Sequence, residues 1–159
     1  VRGGESDQNL VLLDGIPVYN PFHLGGLFGT FVDQAVGAVD MQVGGFPAEF
    51  GGRLSSVLDV RSRESTRTGV HGALQASLLS SSAFLGGAGF DGRLSWNVAA
   101  RRTYADAVVG ALTTEVLPYH FSDAQLRASW RLPRGGTLAL TAYAGADVLD
   151  GSFASFGDS

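Results

Sequence analysis

From residue 68 onward the chain alternates apolar and polar positions with a period of two, the repeat of a β-strand with one face buried in an apolar medium. Val70, Gly72, Leu74, Ala76 and Leu78 share one face, against His71, Ala73, Gln75 and Ser77 on the other. Leu94, Trp96, Val98 and Ala100 oppose Ser95, Asn97, Ala99 and Arg101. Leu126, Ala128, Trp130 and Leu132 oppose Gln125, Arg127, Ser129 and Arg131, and Leu138, Leu140 and Ala142 oppose Thr137, Ala139 and Thr141. Asp91-Gly92 and Pro133-Arg134-Gly135-Gly136 supply hairpin turns between these runs. A longer stretch, Thr103 to Pro118, carries a weak helical pattern through Ala107, Val108 and Leu112.

The first 67 residues follow another pattern. Asn9 to Leu13 is a short apolar run closed by Asp14-Gly15, which predicts a strand entering a tight turn. Pro17 and Pro21 exclude a central strand just after it and predict an extended excursion. Asp33 to Val36 predicts one helical turn with Asp33 as its N-cap. Val39, Met41 and Val43 alternate with Asp40 and Gln42, a half-buried strand, and Leu54 to Arg61 predicts another beyond the glycine-rich turn region of residues 44–52. The predicted class is mainly β: a mixed α+β segment over 1–67, then antiparallel strands over 68–159.

Two environments produce such strands. In a soluble sandwich the apolar face packs on a second sheet. In an outer-membrane barrel it faces lipid while the polar face lines the lumen. Runs near ten residues, against about 5 to 6 for an ordinary soluble strand, favour the barrel. Phe90, Tyr119, Phe121 and Trp130 near the run ends fit interfacial girdles, and no arginine falls on the apolar faces named above.

Composition narrows the function classes. Cysteine is absent, which excludes a disulfide scaffold, a thiolate metal site and a cysteine nucleophile. A net charge of -4 argues against a nucleic-acid partner. Charged residues make up 16% and apolar ones 45%, which argues against disorder. All 11 basic residues are arginine, a bias that a GC-rich genome explains. Gly87 to Gly92 matches the dinucleotide fingerprint by letter, but a strand pattern follows where that motif needs a helix. His23, His71 and His120 lack metal-ligand spacing, and the serine run at 77–82 lacks a nucleophile elbow. No cofactor, metal or catalytic constellation is expected, and no enzyme activity.

Three elements stand in order in the first segment: Val1-Arg2-Gly3-Gly4, then Val11 to Tyr19 with Leu13-Asp14-Gly15-Ile16-Pro17 at its centre, then Val43 to Val60 with Glu49-Phe50-Gly51-Gly52-Arg53-Leu54. Together they resemble the plug domain of TonB-dependent outer-membrane receptors. Phe50 stands where that family usually has tyrosine, and Leu58-Asp59-Val60 replaces a commoner Ile-Asn-Ile. Arg101-Arg102-Thr103-Tyr104 resembles the variety whose precursors carry a carboxypeptidase-regulatory-like N-terminal domain.

The resemblance implies the C-terminal part of a plug over 1–67 and the first strands of an incomplete barrel over 68–159. The chain would then be an internal fragment. It implies a place in the outer membrane of a Gram-negative-type bacterium, in contact with lipid, and energy-coupled uptake of a large scarce nutrient such as a ferric siderophore, cobalamin or glycan. The energising partner would be TonB, acting through a box upstream of Val1. Arg2, Arg53 and Glu49 become candidate plug–barrel contacts, with intraplug or solvated positions the plainer reading for the arginines. Gly15, Gly44, Gly45, Gly51 and Gly52 become plug turns, and Asp14 a turn former. Tyr19, Phe22, His23 and Phe28 become a candidate substrate loop, although such aromatics more often pack a plug on its barrel. The alternative from another class is a secreted β-sandwich adhesin or glycan-binding module.

Overall fold

Two sheets face each other, and they divide the chain near residue 67. The computed structural model describes residues 9–23, 28–44, 56–104 and 119–149. The N-terminal sheet contains β1 (Asn9–Leu13), β2 (Ile16–Pro17), β5 (Val36–Val43) and β6 (Ser56–Ser62), in the order β2-β1-β6-β5. β1 runs parallel to β6 and is buried at Val11, Leu12 and Leu13, as a strand flanked on both sides should be. Asp14 and Gly15 close the β1–β2 hairpin with φ of 52° and 81°, the positive pair that a type I′ turn requires. β2 lies at the sheet edge, where its proline costs no ladder bond. A small hairpin follows, β3 (Phe22–His23) against β4 (Phe28–Gly29).

The expected α+β character of the first segment is not found. Among the described residues the only helical element is a 3₁₀ turn over Asp33–Ala35. Val32, rather than Asp33, takes its N-cap position, and no side chain caps it. Ala35 is fully buried there and Val36 passes straight into β5, so packing and the following strand end the turn before it can grow.

The second sheet is an antiparallel meander, with β7 (Gly69–Ala76), β8 (Ser80–Gly89), β9 (Leu94–Thr103), β10 (Tyr119–Arg131) and β11 (Thr137–Leu149) in the order β11-β10-β9-β8-β7. β10 and β11 are each 13 residues long and pair along their full length. The predicted phases hold in β9 and β10, where burial alternates along the strand, whereas β7 ends at Ala76 and Leu78, expected on its apolar face, lies in the turn to β8. The weak helical pattern over 105–118 lies outside the described residues.

Strand β8 escapes the hydrophobic pattern because its residues are small. Ser80, Ser81, Ser82, Ala83, Gly86 and Gly87 give no amphipathic signal, yet all six pair with β9 and all but Ser80 pair with β7 as well. The Gly87 to Gly92 stretch spans the end of β8 and its turn into β9. Phe90, Asp91 and Gly92 all take positive φ there.

The meander packs with its polar face inward. Asn97 and Gln125 are buried against the end of β6 and the residues after it, and Asp123 against the β3–β4 hairpin, with Ser95, Thr103 and Ser129 also buried on this face. The opposite face is uncovered and apolar, with Val70, Leu74, Leu85, Val98, Leu126, Leu138 and Leu140 all exposed. A small cluster of buried apolar residues crosses the seam: Val32, Ala35, Phe84 and Ala99.

Candidate functional site: the polar seam between the two sheets

Strand alternation places every second residue of β9, β10 and β11 on the inward face, and those positions carry the polar side chains. Two networks result. The first forms around Asp123, whose side chain is fully buried. Its Oδ2 accepts from Arg101 Nε at 3.1 Å and Nη2 at 2.6 Å. Its Oδ1 accepts from the Tyr143 hydroxyl at 3.0 Å and lies 2.7 Å from His23 Nε2. His23 Nδ1 lies 2.6 Å from Asp147 Oδ1, which also accepts from the Tyr119 hydroxyl at 2.7 Å. The imidazole stacks on Phe121, with centroids 4.0 Å apart and planes at 10°. Arg101 also donates to the carbonyl of Gly29, so both strands of the β3–β4 hairpin are fastened to the meander.

The second network forms around Asp14. Its carboxylate accepts from the Ser62 amide at 2.8 Å and the Ser62 hydroxyl at 2.7 Å, which ties the β1–β2 turn to the end of β6. Across the seam it accepts from Thr141 Oγ1 at 2.7 Å, with Arg127 Nη1 at 3.5 Å. Gln125 reaches Ser62 Oγ from β10. Beyond β6, Ser95 Oγ accepts from the Ser65 amide at 2.8 Å, and the Asn97 amide donates to the Arg63 carbonyl.

Close backbone approach calls for glycine at two positions, Gly86 across the seam and Gly37 at the β5–β6 bulge within the N-terminal sheet. A Cβ on Gly86 would stand 2.6 Å from Ser65 Oγ, and one on Gly37 would stand 2.9 Å from Arg63 Cα. Neither position was expected. At Gly15 and Gly44 the space beyond the backbone is open, and positive φ is what calls for glycine.

The expected site residues are placed unevenly. Arg2, Glu49, Arg53, Gly45, Gly51 and Gly52 lie outside the described residues. Tyr19 is 90% exposed and Phe22 partly so. Phe28 pairs with His23 across the hairpin. His23, by contrast, is turned into the seam and 3% exposed. Tyr19, Asn20, His23, Tyr143 and Asp147 are among the residues lining a cavity of about 330 Å³ beside β11. Of the girdle candidates, Phe121 and Tyr119 point inward to His23 and Asp147, while Phe90 and Trp130 pair at the turn end with centroids 5.0 Å apart.

Asp14 and His23 were visible as a turn former and a loop aromatic, but their partners are 127 and 124 residues away. Nothing local announces such contacts. Among the described residues no group of three or more His, Asp or Glu is arranged to hold a metal ion. The seam binds one part of the chain to another through groups that water also satisfies. No family model, curated protein or solved structure matches the chain.

Proposed function

We propose that the chain is the C-terminal part of a plug and the first five wall strands of a TonB-dependent outer-membrane receptor. Such a receptor takes up a large scarce nutrient, a ferric siderophore, cobalamin or glycan, with TonB supplying the energy through a segment upstream. One observation carries this reading: the meander buries its polar face and leaves its apolar face uncovered. Burying a large aliphatic side chain is worth roughly 1.5–3 kcal/mol. The seven on this face are between 37% and 87% exposed, so leaving them in water would forfeit about 6–12 kcal/mol, comparable with the whole net stability of an ordinary domain. Facing lipid, the same residues lose nothing.

Other features agree. Strands of 10 and 13 residues suit a tilted membrane crossing. Arg102 continues the outward face of β9, but beyond Ala100 at the strand end, where a charge near the interface costs little. Short turns join β8 to β9 and β10 to β11 at one end; at the other, residues 77–79 join β7 to β8 and the fifteen-residue stretch 104–118 joins β9 to β10, so the one long connection lies at that end. That asymmetry is usual for barrels with periplasmic turns and outer loops. A sandwich adhesin calls for the reverse polarity, with the apolar face covered by the partner sheet.

Expression of the complete reading frame in a Gram-negative host, with and without functional TonB, tests the proposal. The expected product partitions with the outer membrane, changes its gel mobility on heating, and supports growth on one of the three nutrient classes only when TonB is present. A product that is secreted or soluble in the periplasm overturns it.

A further inference from the structure

The outward face of the meander is not evenly bulky. Toward the middle of its apolar band, Leu85, Val98 and Leu126 form a raised row across three strands. Two residues further along, the next row is Ala83, Ala100, Ala124 and Ala144. Beyond it lies a third row, Ser81, Arg102 and Ser122. The step from branched side chains down to alanine and serine opens a groove of about 820 Å³ across the strands, with both small rows in its lining. Strands β8, β9 and β10 have a neighbour on each side, so the backbone floor of the groove is already hydrogen-bonded and offers a ligand apolar contact.

Arg102 gives the groove a charged rim. It is exposed, and it is the one arginine on the outward face of the described strands, where no aspartate or glutamate joins it. Among the described residues no carboxylate pairs with it. A guanidinium presents its N–H groups as a planar fork that matches a phosphate. The hydroxyls of Ser81 and Ser122, its cross-strand neighbours, are further donors on the same row. The order of the rows matters: cation at the strand end, methyl groups next, leucine and valine toward the band's middle. A lipid in a bilayer carries its own chemistry in that order, anionic head at the interface and hydrocarbon inward.

We propose that this groove seats one membrane lipid with a phosphate headgroup, the phosphate on Arg102 and an acyl chain against the alanine row. The site rests on the reading of β7–β11 as a membrane wall. It lies at the end that carries the 104–118 connection, the outer side on that reading. A zwitterionic headgroup would bring a second cation beside Arg102, and a free anion would leave the alanine row unused.

Native mass spectrometry of the complete protein in a mild detergent tests the site, with dioleoyl phosphatidic acid and dioleoyl phosphatidylcholine offered in equal amounts. The first lipid bound should be phosphatidic acid by about fivefold, the preference that one exposed ion pair supports. Arg102→Gln should bring the two lipids to parity. Ala100→Phe keeps the arginine but fills the groove, and should lose the preferred lipid too. Should that variant fail to show heat-modifiable gel mobility, Ala124→Phe takes its place. Millimolar inorganic phosphate should not displace the lipid. Equal binding of the two lipids by the wild type, an unchanged preference in Arg102→Gln, retention of the lipid in the filled variant, or displacement by inorganic phosphate overturns the site. An outer-membrane protein without the preference keeps the receptor reading and loses the lipid site; a protein soluble in the periplasm loses both.

Discussion

Asp14 serves two structures at once, and its backbone explains why. With φ at 52° it occupies the left-handed region that aspartate and asparagine tolerate better than most residues, and the turn aims its carboxylate at both Ser62 and Thr141. Asp14→Ala removes the acceptor for three hydrogen bonds and adds backbone strain, for an expected loss of about 2–4 kcal/mol. Asp14→Asn keeps the turn and one acceptor oxygen, and should lose less than half as much. Denaturant unfolding of the complete protein in lipid reads both; equal losses would show that the whole effect lies in the carboxylate and that the turn conformation contributes nothing, which would overturn this division. The Asp-Gly turn was legible from two letters because its chemistry is local. That the same carboxylate reaches Thr141 was not, because a long-range hydrogen bond leaves no mark on neighbouring residues. Gly37 and Gly86 were illegible for a similar reason, since the crowding that excludes a side chain comes from Arg63 and Ser65, distant in sequence.

At the scale of the element, alternation made four of the five long strands readable, since each offers bulky apolar residues at every second position. It failed at β8, where alanine and glycine weaken the contrast between faces. The alternation also left open which face is covered, and the two answers have different energetic consequences. Leu85, Val98, Leu126 and Ala142 form one cross-strand row on the outward face, set between neighbouring rows. An arginine in the middle of a lipid-facing band costs roughly 2–4 kcal/mol. Leu126→Arg should therefore destabilise the complete protein by that amount when unfolding is measured from lipid vesicles. Arg102→Leu, at the band's end, should change stability by less than about 1 kcal/mol. If the outward face were bathed in water, Leu126→Arg would be a surface change within about 0.5 kcal/mol, and that result would remove the physical basis of the wall assignment.

For the molecule as a whole, the seam is the point at which two kinds of interior meet. The N-terminal sheet buries Val11, Leu13, Val57 and Val60, while the inner face of the meander sets a few apolar side chains, Phe84, Ala99 and Phe121, among buried polar ones. Among the described residues its edge strands, β7 and β11, each have a neighbour on one side only, and its outer face presents exposed leucines and valines. Edges and apolar patches of this kind template association in water. The 159-residue chain on its own should therefore self-associate in aqueous buffer and become monodisperse in a mild detergent that covers the outer face. Sedimentation velocity in the two solvents decides the matter. The location of the protection matters as much as its presence: detergent should slow modification of a cysteine placed at Leu140, which faces outward, and leave one placed at Thr137, on the inward face, unchanged. A monomer in plain buffer, with Leu140 and Thr137 modified alike in both solvents, would mean that the apolar face needs no covering, and the argument from inverted polarity would fail with it.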